Sequence, residues 1–186
     1  MSTLTLKELS HPAGEVIKIA AGKTLDLKSQ GSVTMPTGSV LQVLGKSVTD
    51  TSSTTSTSFV ALSTLNQSIT PISTSSKVLV SFSMQLEMNS SASGYLQINR
   101  TVGGVDTAID VVTRNSISAS RFFLSQGYGG NNGQNTSLEF LDSPNTTSTI
   151  TYSVKWRVGS GTAYFNTGVG GSFPASSSIT LMEVSA

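Results

Sequence analysis

The sequence predicts an all-β protein, with a short repeat of β-strands near the amino terminus followed by an antiparallel β-sandwich of jelly-roll type. Three observations carry this prediction. Two long segments alternate apolar and polar residues with a period of two. Clusters of Gly, Asn, Ser and Pro separate nearly all the other strand candidates. Outside the first ten residues, no segment shows a convincing helical periodicity of 3.6 residues.

The composition describes a small protein with a neutral exterior. The 186 residues fit one domain, or one domain plus a short appendage. Charged residues make up 11% of the chain, whereas Ser and Thr together supply roughly three residues in ten. The formal net charge is +1, and no basic stripe offers the electrostatic attraction that nucleic-acid binding requires. We therefore expect a hydroxyl-rich surface and no nucleic-acid partner.

The chain contains no cysteine, which excludes a disulfide framework, a thiolate zinc site and a cysteine nucleophile. Its first residues carry Lys7 and Glu8 where a secretory signal would need an unbroken apolar stretch. No window approaches the roughly 18 consecutive apolar residues of a membrane span. The expectation is synthesis in a cytoplasm, without a signal peptide and without membrane insertion.

The first forty-odd residues contain a repeat of apolar pairs, each eight positions after the last. An i, i+2 pair places both side chains on one face of a short strand, and Gly22, Gly31 and Gly38 stand near the breaks, where glycine permits a turn. The repeat predicts alternating strands and turns. Its apolar residues are Ile17, Ile19, Leu25, Leu27, Val33, Met35, Leu41 and Val43.

Eight residues are too few for one coil of a single-chain β-solenoid, because strands advance only about 3.3 Å per residue. Three chains winding together could each supply one side of a prism and hide the apolar pairs at a shared axis. The repeat therefore favours a homotrimeric stem. The alternative is an ordinary meander of hairpin strands packed on the following domain.

We divide the chain into a docking segment and stem (1–46), a Ser/Thr-rich linker or polar edge strand (47–58) and a β-sandwich head (59–186). In the head, residues 77–88 and 149–158 each alternate apolar and polar side chains, as half-buried antiparallel strands do. The second segment places Tyr152 and Trp156 in the core. Weaker strand candidates are 94–100, 107–113, 121–126, 138–141, 162–166 and 178–184.

Residues 38–84 and the ending 176–186 resemble short fibre or appendage proteins of tailed bacteriophages, notably those of marine and cyanobacterial hosts. The turn Ile69-Thr70-Pro71 and the serine-rich approach to Lys77 are part of this resemblance. It implies a trimer whose amino-terminal segment docks on other virion proteins, of the capsid or tail. It also implies a head similar to the jelly rolls of C1q and tumour necrosis factor. The chain lacks the long amino-terminal adaptor of many tail fibres.

The sequence offers no catalytic residue, metal site or cofactor site that we would name. His11 is the only histidine, and a catalytic or metal-binding histidine needs partners. The carboxylate sets Asp106 with Asp110 and Glu139 with Asp142, and the single Glu87, are more simply solvated or turn residues than a glycosidase pair. We interpret Glu87 as pointing outward from its strand.

The segment 126–136 is the candidate glycan or receptor loop. Glycine gives it freedom, its amides are paired donors and acceptors, and its tyrosine presents an aromatic face. A plain turn between strands is the alternative. The candidate contact residues are Tyr128, Asn131, Asn132, Gln134 and Asn135.

The sequence thus predicts a non-enzymatic protein of the phage virion surface, a trimeric fibre or knob that presents a β-sandwich for host adhesion or recognition. Capsid decoration without receptor binding is the alternative. A polysaccharide depolymerase is a remote third.

Overall fold

The computed structural model describes residues 21–22, 35–88, 93–109, 122–124, 132–167 and 175–186. The chain divides into two units, Met1–Thr34 and Met35–Ala186. In the first unit, Ala21 and Gly22 form a turn in which Gly22 has a φ of 74°, as predicted for a glycine at a break of the repeat. The proposed stem residues Ile17, Ile19, Leu25, Leu27 and Val33 lie outside the described residues.

The described part of the second unit folds into eleven β-strands, numbered along the chain, and contains no helix, hence none able to cross a membrane. The first sheet holds β1 (Val40–Val48), β2 (Ser52–Thr54), β4 (Lys77–Met88), β8 (Asn132–Asp142), β10 (Ala163–Phe165) and β11 (Ser177–Val184). The second sheet holds β3 (Val60–Ile69), β5 (Ser93–Val102), β6 (Val105–Ala108), β7 (Phe122–Leu124) and β9 (Ile150–Ser160).

Each sheet is four strands wide, and every pairing is antiparallel. In the first sheet, β4 pairs along one edge with β8 and along the other with β11 and then β10. Outside these lie β1, paired with β11, and β2, paired with β10. In the second sheet the order is β3, β9 and β5, followed by β6 and β7 on the free edge of β5.

The inner faces of the two sheets share one apolar core. All six alternate side chains of β4 from Val78 to Met88 are buried, and so are the five of β9 from Ile150 to Val158, which confirms the predicted strands and their faces. Trp156 of the second sheet meets Phe165 of the first edge to face, with ring centroids 6.5 Å apart. The described residues therefore form an antiparallel β-sandwich.

Polar groups join the two sheets at the margins of this core. Arg100 of β5 donates to both carboxylate oxygens of Asp142 on β8, at 3.0 and 2.8 Å. The hydroxyl of Tyr152 donates to the same carboxylate at 2.6 Å. Burial raises the pKa of the Tyr152 phenol well above its ordinary value, and the hydrogen bond and charge of Asp142 raise it further. Tyr152 therefore remains a hydrogen-bond donor throughout the neutral range.

The sandwich begins earlier in the chain than the predicted boundary at residues 46 and 47. Leu41 and Val43, which the prediction assigned to the stem, lie in β1. This strand belongs to the sandwich, because it pairs with β11 over most of its length. Met35 precedes β1 and is exposed. The segment 47–58 contains β2, a strand in the outer row of the first sheet, so its edge-strand interpretation is the one observed.

Two further assignments need correction. The predicted strand starts at residue 138, whereas β8 begins at Asn132. The polar first half of β8 is a strand because it pairs with Met84–Met88 of β4. Glu87 is 5% exposed rather than solvated.

Candidate functional site

The outer face of the second sheet carries a band of aromatic, amide and charged side chains. Alternation along β9 sends Lys155 and Arg157 outward while their neighbours fill the core. Register places Tyr95 of β5 opposite Arg157 and Gln97 opposite Lys155. One strand position is about 3.4 Å, so the rows from Arg157 to Thr151 span about 20 Å. We call this surface the polar face. Its members are Phe59, Asn66, Tyr95, Gln97, Asn99, Thr101, Asp106, Thr151, Ser153, Lys155 and Arg157.

An arginine held between two aromatic rings forms one end of the polar face. The guanidinium carbon of Arg157 lies 4.0 Å from the ring centroid of Tyr95 and 5.3 Å from that of Phe59. Both distances are within the range of cation–π attraction. Arg157 also donates to the carbonyl of Thr57 at 3.4 Å. These contacts place the planar cation between the two rings, and its guanidinium group carries several N–H donors in a planar arrangement.

A carboxylate network forms the other end of the polar face. Asp106 of β6 accepts hydrogen bonds from Asn99 at 2.9 Å and Thr101 at 3.1 Å, and it pairs with Lys155. Burial alone would raise the pKa of the Asp106 carboxyl. The three hydrogen bonds and the charge of Lys155 outweigh burial and hold that pKa below its ordinary value.

Replacing Lys155 by methionine is expected to raise the pKa of Asp106, because the variant removes the cation and one hydrogen bond. A depressed folded-state pKa stabilises the protein above the unfolded pKa of about 4, and that stability is lost as the pH falls through the folded pKa. The variant should therefore lose less stability than the parent on acidification. NMR titration of the Asp106 carboxyl measures the shift. Lys77→Met, on the first sheet, is the control and should leave the pKa of Asp106 unchanged.

The structure places the candidate receptor residues in two groups. Tyr128 and Asn131 lie outside the described residues. Asn132, Gln134 and Asn135 belong to β8, opposite Met88, Leu86 and Gln85, so they are strand residues rather than loop residues. Asn135 is exposed. Contact between these five residues and a receptor stays a prediction.

The candidate carboxylates Glu139 and Asp142 do not face each other. Glu139 and Asp142 are three positions apart on β8 and so project to opposite faces of the sheet. Asp142 is held by Arg100 and Tyr152, and Asp106 by Lys155. Within the described residues, no three His, Cys, Asp or Glu side chains come close enough to hold a metal ion. Asp110 and His11 lie outside the described residues.

No protein-family model matches the chain, and no curated protein matches it. Among solved structures, that of the infectious bursal disease virus Gt strain is similar at 12% identity and a TM-score of 0.39, over 88% of this chain and 42% of that one. The crystal structure of the infectious bursal disease virus VP2 subviral particle is similar at 12% identity and a TM-score of 0.35, over 87% of this chain and 45% of that one. The chain thus spans less than half the length of these structures.

The polar face is not evident from the sequence alone. Phe59, Tyr95 and Arg157 come from three separate segments, and only strand register brings them together. The sequence indicates this surface only through the outward-facing residues of the segment 149–158, which include two cations two positions apart. Two outward cations on one strand indicate a charged surface without revealing its aromatic neighbours.

Proposed function

We propose that this protein is a non-enzymatic structural protein of a virion surface, a trimeric fibre or knob whose sandwich adheres to or recognises the host surface. The polar face is the observation that carries the adhesion role. It places an aromatic-bound arginine, amides and a carboxylate on hydrogen-bonded strands, so their positions are fixed before a ligand arrives. Hydroxyl-rich polymers, above all glycans, match these donors, acceptors and aromatic surfaces.

The strand order supports the more specific proposal that the sandwich is a jelly roll. The chain crosses between sheets from β2 to β3, from β3 to β4, from β4 to β5, from β7 to β8, from β8 to β9 and from β9 to β10. The first strand, β1, then lies beside the last, β11. Eight strand rows wound in this way are the pattern of jelly rolls, which recur in viral shells and lectins.

The trimer and the attachment of the amino-terminal segment to other virion proteins remain part of the proposal. They are supported by the eight-residue apolar repeat and by the resemblance to phage fibres. Trimeric display would allow a weak single site to act with high avidity, because the second and third contacts become intramolecular. A cysteine-free, hydroxyl-rich chain with little net charge suits synthesis in a host cytoplasm and later exposure on a particle.

Replacing Tyr95 by alanine is expected to weaken binding to host surface polysaccharide about tenfold, since one aromatic or cation–π contact contributes about 1–1.5 kcal/mol. Surface plasmon resonance on immobilised host polysaccharide measures the affinity. Tyr164→Ala is the matched control, because Tyr164 is also half-exposed but lies on the outer face of the first sheet. Equal loss in both variants, or in neither, would contradict adhesion through the polar face.

The same purified protein and polysaccharide also distinguish adhesion from the two alternative functions. A depolymerase would release new reducing ends from the polysaccharide, and we expect none. A capsid decoration protein would bind no polysaccharide at all and would be found only on the shell.

A further inference from the structure

The outer face of the first sheet carries an apolar row that crosses all four strands. Strand register pairs Val43 with Met182, Met182 with Leu79, and Leu79 with Leu141. The two ends of this row are exposed to solvent, Val43 by 54% and Leu141 by 53%. The core lies on the opposite face of the same strands, so these four side chains contribute nothing to it. We call them the apolar row.

The rows on either side of the apolar row differ sharply in size. On the side toward the start of β4, the row consists of Val40, Val184 and Lys77. On the other side, the row consists of Gly45, Thr180, Ser81 and Glu139. The next row is serine on all four strands: Ser47, Ser178, Ser83 and Ser137. Apart from Glu139, the side chains are therefore small on one side of the apolar row, whereas they are bulky on the other.

We propose that this face packs against the same face of a second copy of the chain, about a twofold axis that runs along the apolar row. Such an axis keeps each strand opposite its own copy and reverses the order of the rows. Each member of the apolar row then meets itself across the interface, and water is removed from four apolar side chains in each copy. The interface is isologous, the commonest kind among homo-oligomers.

Shape supports this pairing because the twofold axis sets the bulky row against the small row. Val40 of one copy faces Gly45 of the partner subunit, where the missing side chain leaves a recess. A Cβ atom added at Gly45 would meet only ordinary contacts, Thr180 Oγ1 at 3.7 Å and Ile179 O at 3.8 Å. The recess is therefore open toward the partner rather than filled from within the sheet.

Charge supports the same pairing. Lys77 and Glu139 are the only charged residues in the four rows, and both are exposed. The axis places Lys77 opposite the partner's Ser81, one strand from the partner's Glu139, which is about 4.8 Å to the side. A lysine side chain can reach that carboxylate, so two unlike-charge contacts flank the apolar row and like charges do not meet.

The area of the face is that of a weak interface. Four strands spaced about 4.8 Å apart and the three overlapping rows of about 6.8 Å each cover about 400 Å² of sheet plane per copy. The pair would bury about 800 Å², which is in the range of transient contacts. This pairing does not depend on the stem or on the polar face, which belongs to the other sheet. In the proposed trimer it would join heads of two different trimers, because a twofold axis relates chains two at a time.

A single cysteine placed on the apolar row tests the pairing, since the natural chain has none. In the full chain, Leu79→Cys puts two thiols across a sheet spacing of about 10 Å, which a short bismaleimide can bridge. We expect most of the single-chain band to convert into a two-chain band on a denaturing gel. Ser83→Cys is the matched control, on the same strand and face but two rows from the axis, and should stay single.

Met182→Cys provides a second position on the axis should Leu79→Cys fail to fold, as judged by far-UV circular dichroism. Failure of both axis variants to crosslink, or equal crosslinking of Ser83→Cys, would overturn the proposed pairing. A different protein covering this face would give that negative result. A trimer held only by its stem would also give no difference between positions 79 and 83, but light scattering would still report the mass of three chains. Failure of the pairing and failure of the proposed trimer are therefore distinguishable.

Discussion

Replacing Asn166 by alanine is expected to lower the free energy of unfolding by about 3–5 kcal/mol, since it removes three hydrogen bonds, two of which are buried. Asn166 is fully buried. Its amide donates to the carbonyls of Val48 at 2.9 Å and Asp50 at 3.2 Å, and its carbonyl accepts from Ser177 at 2.6 Å. One side chain thus joins the end of β1 and the residues that follow it to the start of β11.

The backbone of Asn166 adds to this cost because its φ is 54°, a conformation that asparagine tolerates better than alanine does. Asn145 provides a matched control, with the same φ of 54° but an exposed side chain. Asn145→Ala should cost only about 1 kcal/mol, the backbone contribution alone. Urea unfolding at one fixed protein concentration measures both variants. Equal losses would show that the hydrogen bonds of Asn166 contribute little.

Replacing Trp156 by alanine is expected to cost about 3–5 kcal/mol, because it opens a large cavity between the two sheets. The indole is 2% exposed and packs edge to face on Phe165 of the opposite sheet. Its loss therefore removes contacts that hold the two sheets together. The variant should unfold at a clearly lower urea midpoint and, at the upper end of this range, populate the unfolded state before denaturant is added.

The neighbouring residue supplies the control for Trp156. Arg157→Ala changes the next position of the same strand but removes a side chain from the outer face, where its cation–π contacts are worth about 1 kcal/mol. A larger loss from Arg157→Ala than from Trp156→Ala would mean that the core does not lie where the alternation of β9 puts it.

The long strands were predictable because their two faces meet different environments. The segments 77–88 and 149–158 each separate apolar from polar side chains along their whole length, and β4 and β9 follow them closely. Periodicity reports which side of a strand is apolar, and in these two strands the apolar side faces the core.

Periodicity does not report which strand lies alongside, and this explains the errors. Leu41 and Val43 fit the apolar repeat, but β1 pairs with β11, which is about 140 residues away in sequence. The polar first half of β8 resembles a loop, yet hydrogen bonds to β4 make it a strand. Glu87 is outward by alternation, and nothing in the local sequence indicates that it is covered.

The polar face and the apolar row share this dependence on register. Each is assembled from strands that are distant in the chain, and each contains residues that are unremarkable in their own segments. Arg157 stacks on Tyr95, 62 positions earlier, and Leu141 completes a row with Val43 only through two intervening strands. A sequence pattern identifies the outward residues of such surfaces, whereas their neighbours follow only from the pairing of strands.

Cryo-electron microscopy of intact particles tests the central claim most directly, since it locates the protein on a virion. The account predicts density for the sandwich on the particle exterior, with the amino-terminal segment toward the particle and the polar face open to solvent. Absence of the sandwich from purified particles would contradict a virion role, and a polar face packed against the shell would contradict adhesion.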